Sequence, residues 1–318
     1  MSLQPVVLLR SFLRWTWLPL VLVLASGCSI KRMAINRLGD ALSGSGTSFA
    51  SDDDPELVKA AVPFSLKLIE SLLAESPRHQ GLLLAACSGF TQYSFAFVNQ
   101  DADEKEDSDL AAANALRARA KRLYLRARGY GLRGLEARHP NFEQALRKNP
   151  KAAVQSAKAG DVPLLYWTAA AWGSAISVSK DDPSLVSDQV IVEALIDRAL
   201  ELDEDFDRGA IHGFLIAYEM ARQGVAGDAA ARSKKHFDRA MELSHGELAS
   251  PLVSLAEAVA VQNQNRTEFQ SLLNRALAIN HDAVPGLRLQ NLIAQRRARW
   301  LLGRVDELFL DGAKSNNQ

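Results

Sequence analysis

Only two cysteines, Cys28 and Cys87, occur in the 318 residues, too few for the disulfide framework that staples small exported domains. Neither charge sign is in excess: 37 Lys and Arg face 37 Asp and Glu. That balance removes the electrostatic case for a nucleic-acid partner. No stretch of any length alternates apolar and polar residues with β-branched enrichment, so the expected fold is all-α. Chemistry is scarce too. The six histidines, His79, His139, His212, His236, His245 and His281, are scattered, and none forms HExxH or another metal spacing. There is no GxSxG, no P-loop, and no nucleophile with a base at a recognisable offset. The expectation is a protein without catalytic residues, metal or cofactor, and not an enzyme.

What is present begins with the N-terminus. Arg10 and Arg14 precede a short apolar core, Trp15 to Ala25, too short to span a bilayer. Leu24-Ala25-Ser26-Gly27-Cys28 then resembles a bacterial lipobox, in which the peptidase cuts before a cysteine that carries diacylglycerol. Residues 1–27 read as a lipoprotein signal peptide and Cys28 as the lipidated residue, since two or more acyl chains hold a protein durably to a membrane. Ser29, rather than Asp, follows the cysteine, as in lipoproteins sorted to the outer membrane. Cys87 lies in LLLAACSGF, an apolar helical context, and reads as a small core residue. Residues 28–54, which contain SGSGTSFASDDD, read as anchor and flexible tether, and residues 55–318 as the folded body.

That body opens at Asp54-Pro55 with a helix ending near Ser76-Pro77, which Pro63 should kink or divide. A second apolar helix, roughly 80–98, completes a helical hairpin. Asp101 to Asp109 reads as a solvated acidic loop. The basic stretch Arg117 to Arg138 reads as an amphipathic helix whose charged face meets that loop, in preference to an anion-binding surface. Gly129-Tyr130-Gly131-Leu132-Arg133-Gly134 matches GxGxxG literally. What precedes it is a helical pattern rather than a strand, so a helix C-cap and turn is expected and a nucleotide site is not.

From Val162 to Val178 no residue is charged. Leu165, Ala169, Trp172 and Ile176 recur at helical spacing, with Trp167, Ala171, Ser174 and Val178 beside them. A helix apolar all round is a buried one, and Pro163, Thr168, Ser174 and Ser177 argue against a membrane span. Further on a repeat emerges. Ile196-Asp197-Arg198-Ala199-Leu200-Glu201-Leu202, Phe237-Asp238-Arg239-Ala240-Met241-Glu242-Leu243 and Leu273-Asn274-Arg275-Ala276-Leu277-Ala278-Ile279 align at spacings of 41 and 36 residues. Leu68 to Pro77 resembles a further copy. Each copy is a helix end with a small alanine at the packing point, the logic of tetratricopeptide repeats with their period of about 34. The fold expected is therefore all-α: degenerate tetratricopeptide-like hairpins packed around a central buried helix. Candidate ligand-lining residues are large aromatics and polar groups on three apolar helices: Tyr166, Trp167 and Trp172; His212, Phe214 and Tyr218; Asn291 and Gln295. For the last pair a capping helix with a solvated polar face is an equal reading. Helical solenoids curve, and their concave side commonly binds something.

LYWTAAAWGSAI, RALELDEDFDRGAIHGFL, KKHFDRAMELS and LQNLIAQRRARWLL, in that order, resemble the T component associated with TRAP transporters, a periplasmic lipoprotein family. The likeness spans roughly Lys59 to Phe309 and is densest from Asp161 onward. The resemblance implies a non-enzymatic, all-α, lipid-anchored periplasmic protein, at the outer membrane. It implies a hydrophobic cleft or pore for a hydrophobic small molecule, docking to the periplasmic solute-binding P component, and a homo-oligomer such as a trimer. The rival reading is an envelope scaffold of tetratricopeptide type without a small ligand.

Overall fold

The computed structural model describes Arg37 and residues 46–310. The signal peptide and Cys28 lie outside the described residues. Ten principal helices follow in order: α1 (Pro55–Glu75), α2 (Gln80–Tyr93), α3 (Leu110–Arg138), α4 (Val162–Ser177), α5 (Gln189–Leu202), α6 (Phe206–Ala221), α7 (Ala229–Leu243), α8 (Ser250–Leu255), α9 (Arg266–Ala278) and α10 (Arg288–Gly303). No strand occurs among the described residues. Within the segment expected to be tether, Gly46–Ala50 forms a helical turn against α10, and Phe49 packs on the core.

Local chemistry accounts for the helix ends. Asp54 Oδ1 accepts from the backbone N–H groups of Glu56 and Leu57, both at 3.0 Å, with Pro55 in the first turn. Pro63 does not divide α1, which runs unbroken through it; proline removes one donor, and the burial of Val58, Leu66, Ile69 and Leu73 outweighs that loss. α2 continues beyond the expected end through a π-helical segment, Ser94–Asn99, into Gln100–Lys105. The run Gln80–Lys105 is long and apolar enough to cross a membrane by length and composition, yet 56% of its apolar window is buried inside the protein. That is how a core helix behaves.

α4 is the central helix that its composition implies. It packs against α2, α3, α5 and α6, and Leu165, Ala169, Ala171, Trp172 and Ala175 have no exposed surface. Asp161 stands at its N-cap position without capping it. Its carboxylate instead accepts from the Lys158 backbone N–H (2.9 Å), from Arg138 Nη1 (2.8 Å) and from His139 Nε2 (2.9 Å). The GxGxxG stretch is not a turn. It lies inside continuous α3, where a Cβ on Gly131 would overlap Thr168 Oγ1 and approach Cys87 Sγ to 2.9 Å, and one on Gly134 would meet Leu164 Cδ2 at 2.7 Å. These glycines let α2, α3 and α4 close on one another, a use that no strand-to-helix phosphate loop would share.

The three repeat copies end α5, α7 and α9, and their alanines Ala199, Ala240 and Ala276 are fully buried at helix crossings. Each even-numbered helix also touches the next even-numbered one, from α2 through α4, α6 and α8 to α10. Two apolar cores result. One spans α1 to α6; the other spans α6 to α10, and α10 bridges them with Leu289 and Ile293 on the first and Ala294, Ala298 and Leu301 in the second.

The acidic stretch after α2 is a helix and turn with partners, not a solvated loop. Arg117 of α3 reaches Asp103 (3.2 Å) and Glu106 (2.7 Å), as expected. Its larger partner is α10: Arg296 pairs with Glu104 (2.5 Å) and Asp101 (3.1 Å), Arg297 with Asp103 (2.8 Å) and with Glu257, and Arg304 with Asp107 (3.1 Å). The last helix is thereby fastened to the first hairpin.

Candidate functional site

Of the three aromatics on α4, two have surface to offer. Tyr166 and Trp167 are half-buried and meet edge to face, with ring centroids 4.9 Å apart. Phe206, at the start of α6, stands 5.4 Å from the Tyr166 ring and completes a trio. Burial raises the Tyr166 phenol well above its ordinary range, with the Asp207 carboxylate adding to it. Asp207 is exposed by area, yet surrounding atoms desolvate it and raise its own pKa.

The backbone beside this trio is unusual. Asp207, Arg208 and Gly209 follow one another with φ of 45°, 57° and 85°, and two of these are not glycine. Gly209 needs the freedom. A Cβ there would lie 3.1 Å from Leu243 Cβ and 3.3 Å from Ala240 Cα, so the turn clamps α6 to the repeat end of α7.

Trp172, by contrast, is wholly enclosed. The guanidinium carbon of Arg128 lies 4.6 Å from its ring centroid and that of Arg147 5.7 Å away, and both arginines reach Asp188. Its indole N–H has no partner. This is a cation–π stack fastening α3 and the segment Phe142–Lys148 onto α4.

On α6, Phe214 and Tyr218 are half-buried and stacked at 5.2 Å. Phe214 lies against the open side of Gly173, where a Cβ would come within 3.2 Å of its ring, so α4 and α6 bring their aromatics together. The Tyr218 hydroxyl donates to the Gln189 carbonyl at 3.3 Å. His212 is buried, and its Nδ1 meets Nδ1 of His236 on α7 at 2.8 Å. Burial lowers the pKa of both rings; His236 lowers that of His212 further, while Glu204 opposes the shift.

Asn291 and Gln295 are each 2% exposed and already employed. Asn291 Oδ1 accepts from the Ala249 N–H and its Nδ2 donates to the Glu247 carbonyl, both at 2.9 Å. Gln295 Nε2 donates to the carbonyls of Ala276 (3.2 Å) and Ile279 (2.8 Å), covering the open C-terminus of α9. They stand with the second core, apart from the α4–α6 aromatics. Phe206, Asp207 and His236 belong to the site neighbourhood but were absent from the sequence candidates. Phe206 and Asp207 sit in the run DEDFDRG, where the acidic residues mask an aromatic inside a repeat turn.

No group of three or more His, Cys, Asp or Glu among the described residues is arranged to hold a metal. The Cys87 thiol is buried and its pKa is pushed up to about 12 by desolvation, which makes it inert.

A family model described as TRAP transporter T-component matches residues 51–309. A relative, an uncharacterized protein of Treponema pallidum (strain Nichols), is 28% identical over 311 residues, covering 91% of this chain and 95% of the relative.

Proposed function

Because the chain belongs to the TRAP transporter T-component family, we propose that it is a lipid-anchored periplasmic accessory protein of a TRAP-type transport system. In this reading it docks the solute-binding P component and holds a hydrophobic small molecule at the aromatic surface of α4 and α6. The membership places the protein with a TRAP system as an accessory component; docking, ligand and anchor are the reading added to it. The observation that carries the ligand is the gathering of half-buried Tyr166, Trp167, Phe206, Phe214 and Tyr218 on two touching helices. Such rings offer apolar area with polar edges, the usual lining of small-molecule sites. Within it Tyr166 and Trp167 are the contacts, and His212 acts through its hydrogen bond to His236 on α7. Trp172, Asn291 and Gln295 act by keeping helices in place.

The array itself reads as degenerate tetratricopeptide-like hairpins. In support, the repeat copies end successive odd-numbered helices while the even-numbered helices touch one another in series. Assembly as a homo-oligomer belongs to the same reading, as do lipidation at Cys28 and the outer-membrane address.

Native mass spectrometry of a form starting at Ser29, prepared mildly and after delipidation, tests the ligand. An extra mass of small-molecule size, lost on delipidation and lost in a Tyr166→Ala/Trp167→Ala variant, is expected. The same spectra report the oligomer. A clean apo mass from both preparations transfers the protein to the scaffold reading. Tight packing of Trp172, Asn291 and Gln295 favours that alternative, because it removes three polar-edged residues from any lining.

A further inference from the structure

The basic stretch of α3 divides in two. Arg117 turns to the acidic segment, but Arg119, Arg122, Arg126 and Arg133 recur at helical spacing on the exposed side of the same helix. They span about 21 Å of helix length at about 1.5 Å per residue. Among the described residues, Arg119, Arg122 and Arg133 pair with no carboxylate. Arg119 reaches the Tyr93 hydroxyl at 3.4 Å and Arg133 the Pro77 carbonyl at 3.0 Å. Arg126 meets Glu70 of α1 at 2.5 Å, and Glu70 also accepts from the Tyr130 hydroxyl at 2.6 Å. Between Arg126 and Arg133 lies Gly129, beside which a Cβ would meet nothing within 4 Å.

The Glu70 contacts seat α1 alongside this stripe, and the face α1 turns away from the core carries large apolar side chains. Phe64 is 75% exposed and Leu57, seven residues earlier on the same side, is 58% exposed, with exposed Ala60 between them. Arg78 extends the positive charge, Lys67 pairs with Glu70 at 2.7 Å, and Glu75 is the one exposed acid in the C-terminal half of α1. The terminal helix of a stacked array ordinarily carries a polar outer face; this one presents a phenyl ring and a leucine beside arginines.

We propose that this face of α1 and α3 is a docking surface for an anionic lipid bilayer, with Phe64 and Leu57 entering the headgroup boundary and Arg119, Arg122 and Arg133 engaging lipid phosphates. The inference rests on the lipid-anchor reading given above. Three observations select a bilayer as the occupant. Its charge complements the stripe, a local concentration of arginine in a chain whose charges balance as a whole. Apolar side chains flanked by arginine suit an interface that is apolar below and phosphate-rich above. The chain also arrives from Cys28 at the N-terminal end of α1, the end that presents Leu57. Residues 29–45 span at most about 60 Å, so an anchored molecule keeps this face within reach of the membrane. At the high local concentration that a tether imposes, modest intrinsic affinity is enough.

The test uses a form beginning at Ser29, without lipid, sedimented with phosphatidylcholine vesicles and with vesicles that also contain phosphatidylglycerol. Binding to the phosphatidylglycerol vesicles alone is expected, weakening as salt rises. Arg119→Glu/Arg122→Glu/Arg133→Glu should bind at least about tenfold more weakly, and Phe64→Ser should weaken binding without changing its salt dependence. Arg122→Glu alone, at a side chain with no partner to lose, should weaken binding with an unaltered melting curve. Absence of binding to anionic vesicles, or equal binding by all variants, overturns the proposal. So does loss of P-component binding in the triple variant with vesicle binding intact, which would give the face to a protein. Failure of the anchor reading is seen separately, as the absence of acyl mass on Cys28 when the full-length protein is extracted from membranes and weighed.

Discussion

Gly209 concentrates the cost of the α5–α6 turn in one residue. With φ at 85° and Leu243 3.1 Å from an added Cβ, Gly209→Ala meets both left-handed strain and overlap. It should cost about 2–3 kcal/mol, read as a lowered urea midpoint. Arg208→Gly is the opposite case. It relieves a non-glycine residue at φ 57° and gives up an exposed pair with Glu247 that is worth little. Stability should therefore stay level or rise by about 0.5 kcal/mol.

The His212–His236 pair supplies a pH dependence whose sign follows from its geometry. One Nδ1 must donate to the other across 2.8 Å, which two imidazolium rings cannot do. Both rings are held below the ordinary value of 6.5 in the folded protein, so the unfolded chain binds protons first as pH falls. The stability contributed by the neutral pair is complete above pH 6.5 and is lost as pH falls through the lower folded-state values. Chemical unfolding at a series of pH values from 7 to 5 should show this decline. A His236→Gln variant should flatten it; an unchanged slope would remove the pair from the account.

At the scale of elements, α10 acts as a clasp. Arg297 is 18% exposed, donates to Asp103 and Glu257, and covers the Trp300 ring at 4.3 Å. Both π-helical segments lie at this seam: Ser94–Asn99 leads into the helix carrying Asp103, and Ala256–Ala260 contains Glu257. Arg297→Ala leaves Glu257 without its cation and Asp103 with Arg117 alone, and should cost about 1–2 kcal/mol. High salt should narrow the gap between variant and parent, because partial exposure lets ions screen what remains. α4 occupies the other extreme. Surrounded by four helices, its amides should exchange with deuterium more slowly than those of α1, whose outer face is open; equal rates would contradict its central place.

For the whole molecule, two cores meet through α6 in the chain and α10 in space. The proposed functions divide along the same lines, with an aromatic surface on α4 and α6 and a bilayer-facing side on α1 and α3. The elements were legible in the sequence because their signals are local. Asp54-Pro55 opens a helix by hydrogen bonds within three residues, the charge-free run 162–178 has no polar face to give to water, and the alanines of the repeat leave room for a crossing helix wherever it comes from. Family membership followed from the order of such words.

Tertiary structure alone decided what each element meets. A glycine pattern drawn for phosphate became a close helix crossing, because Thr168, Cys87 and Leu164 arrive from other helices. The acidic stretch found Arg296 and Arg297 almost two hundred residues away. Asn291 and Gln295 turned inward to backbone groups that no spacing reveals, and Trp172 vanished beneath two guanidinium groups while Tyr166 and Trp167 kept their surface. Helical periodicity says which face of a segment is apolar; whether that face meets a core, a ligand or a membrane depends on neighbours that only the folded chain brings within a few ångströms.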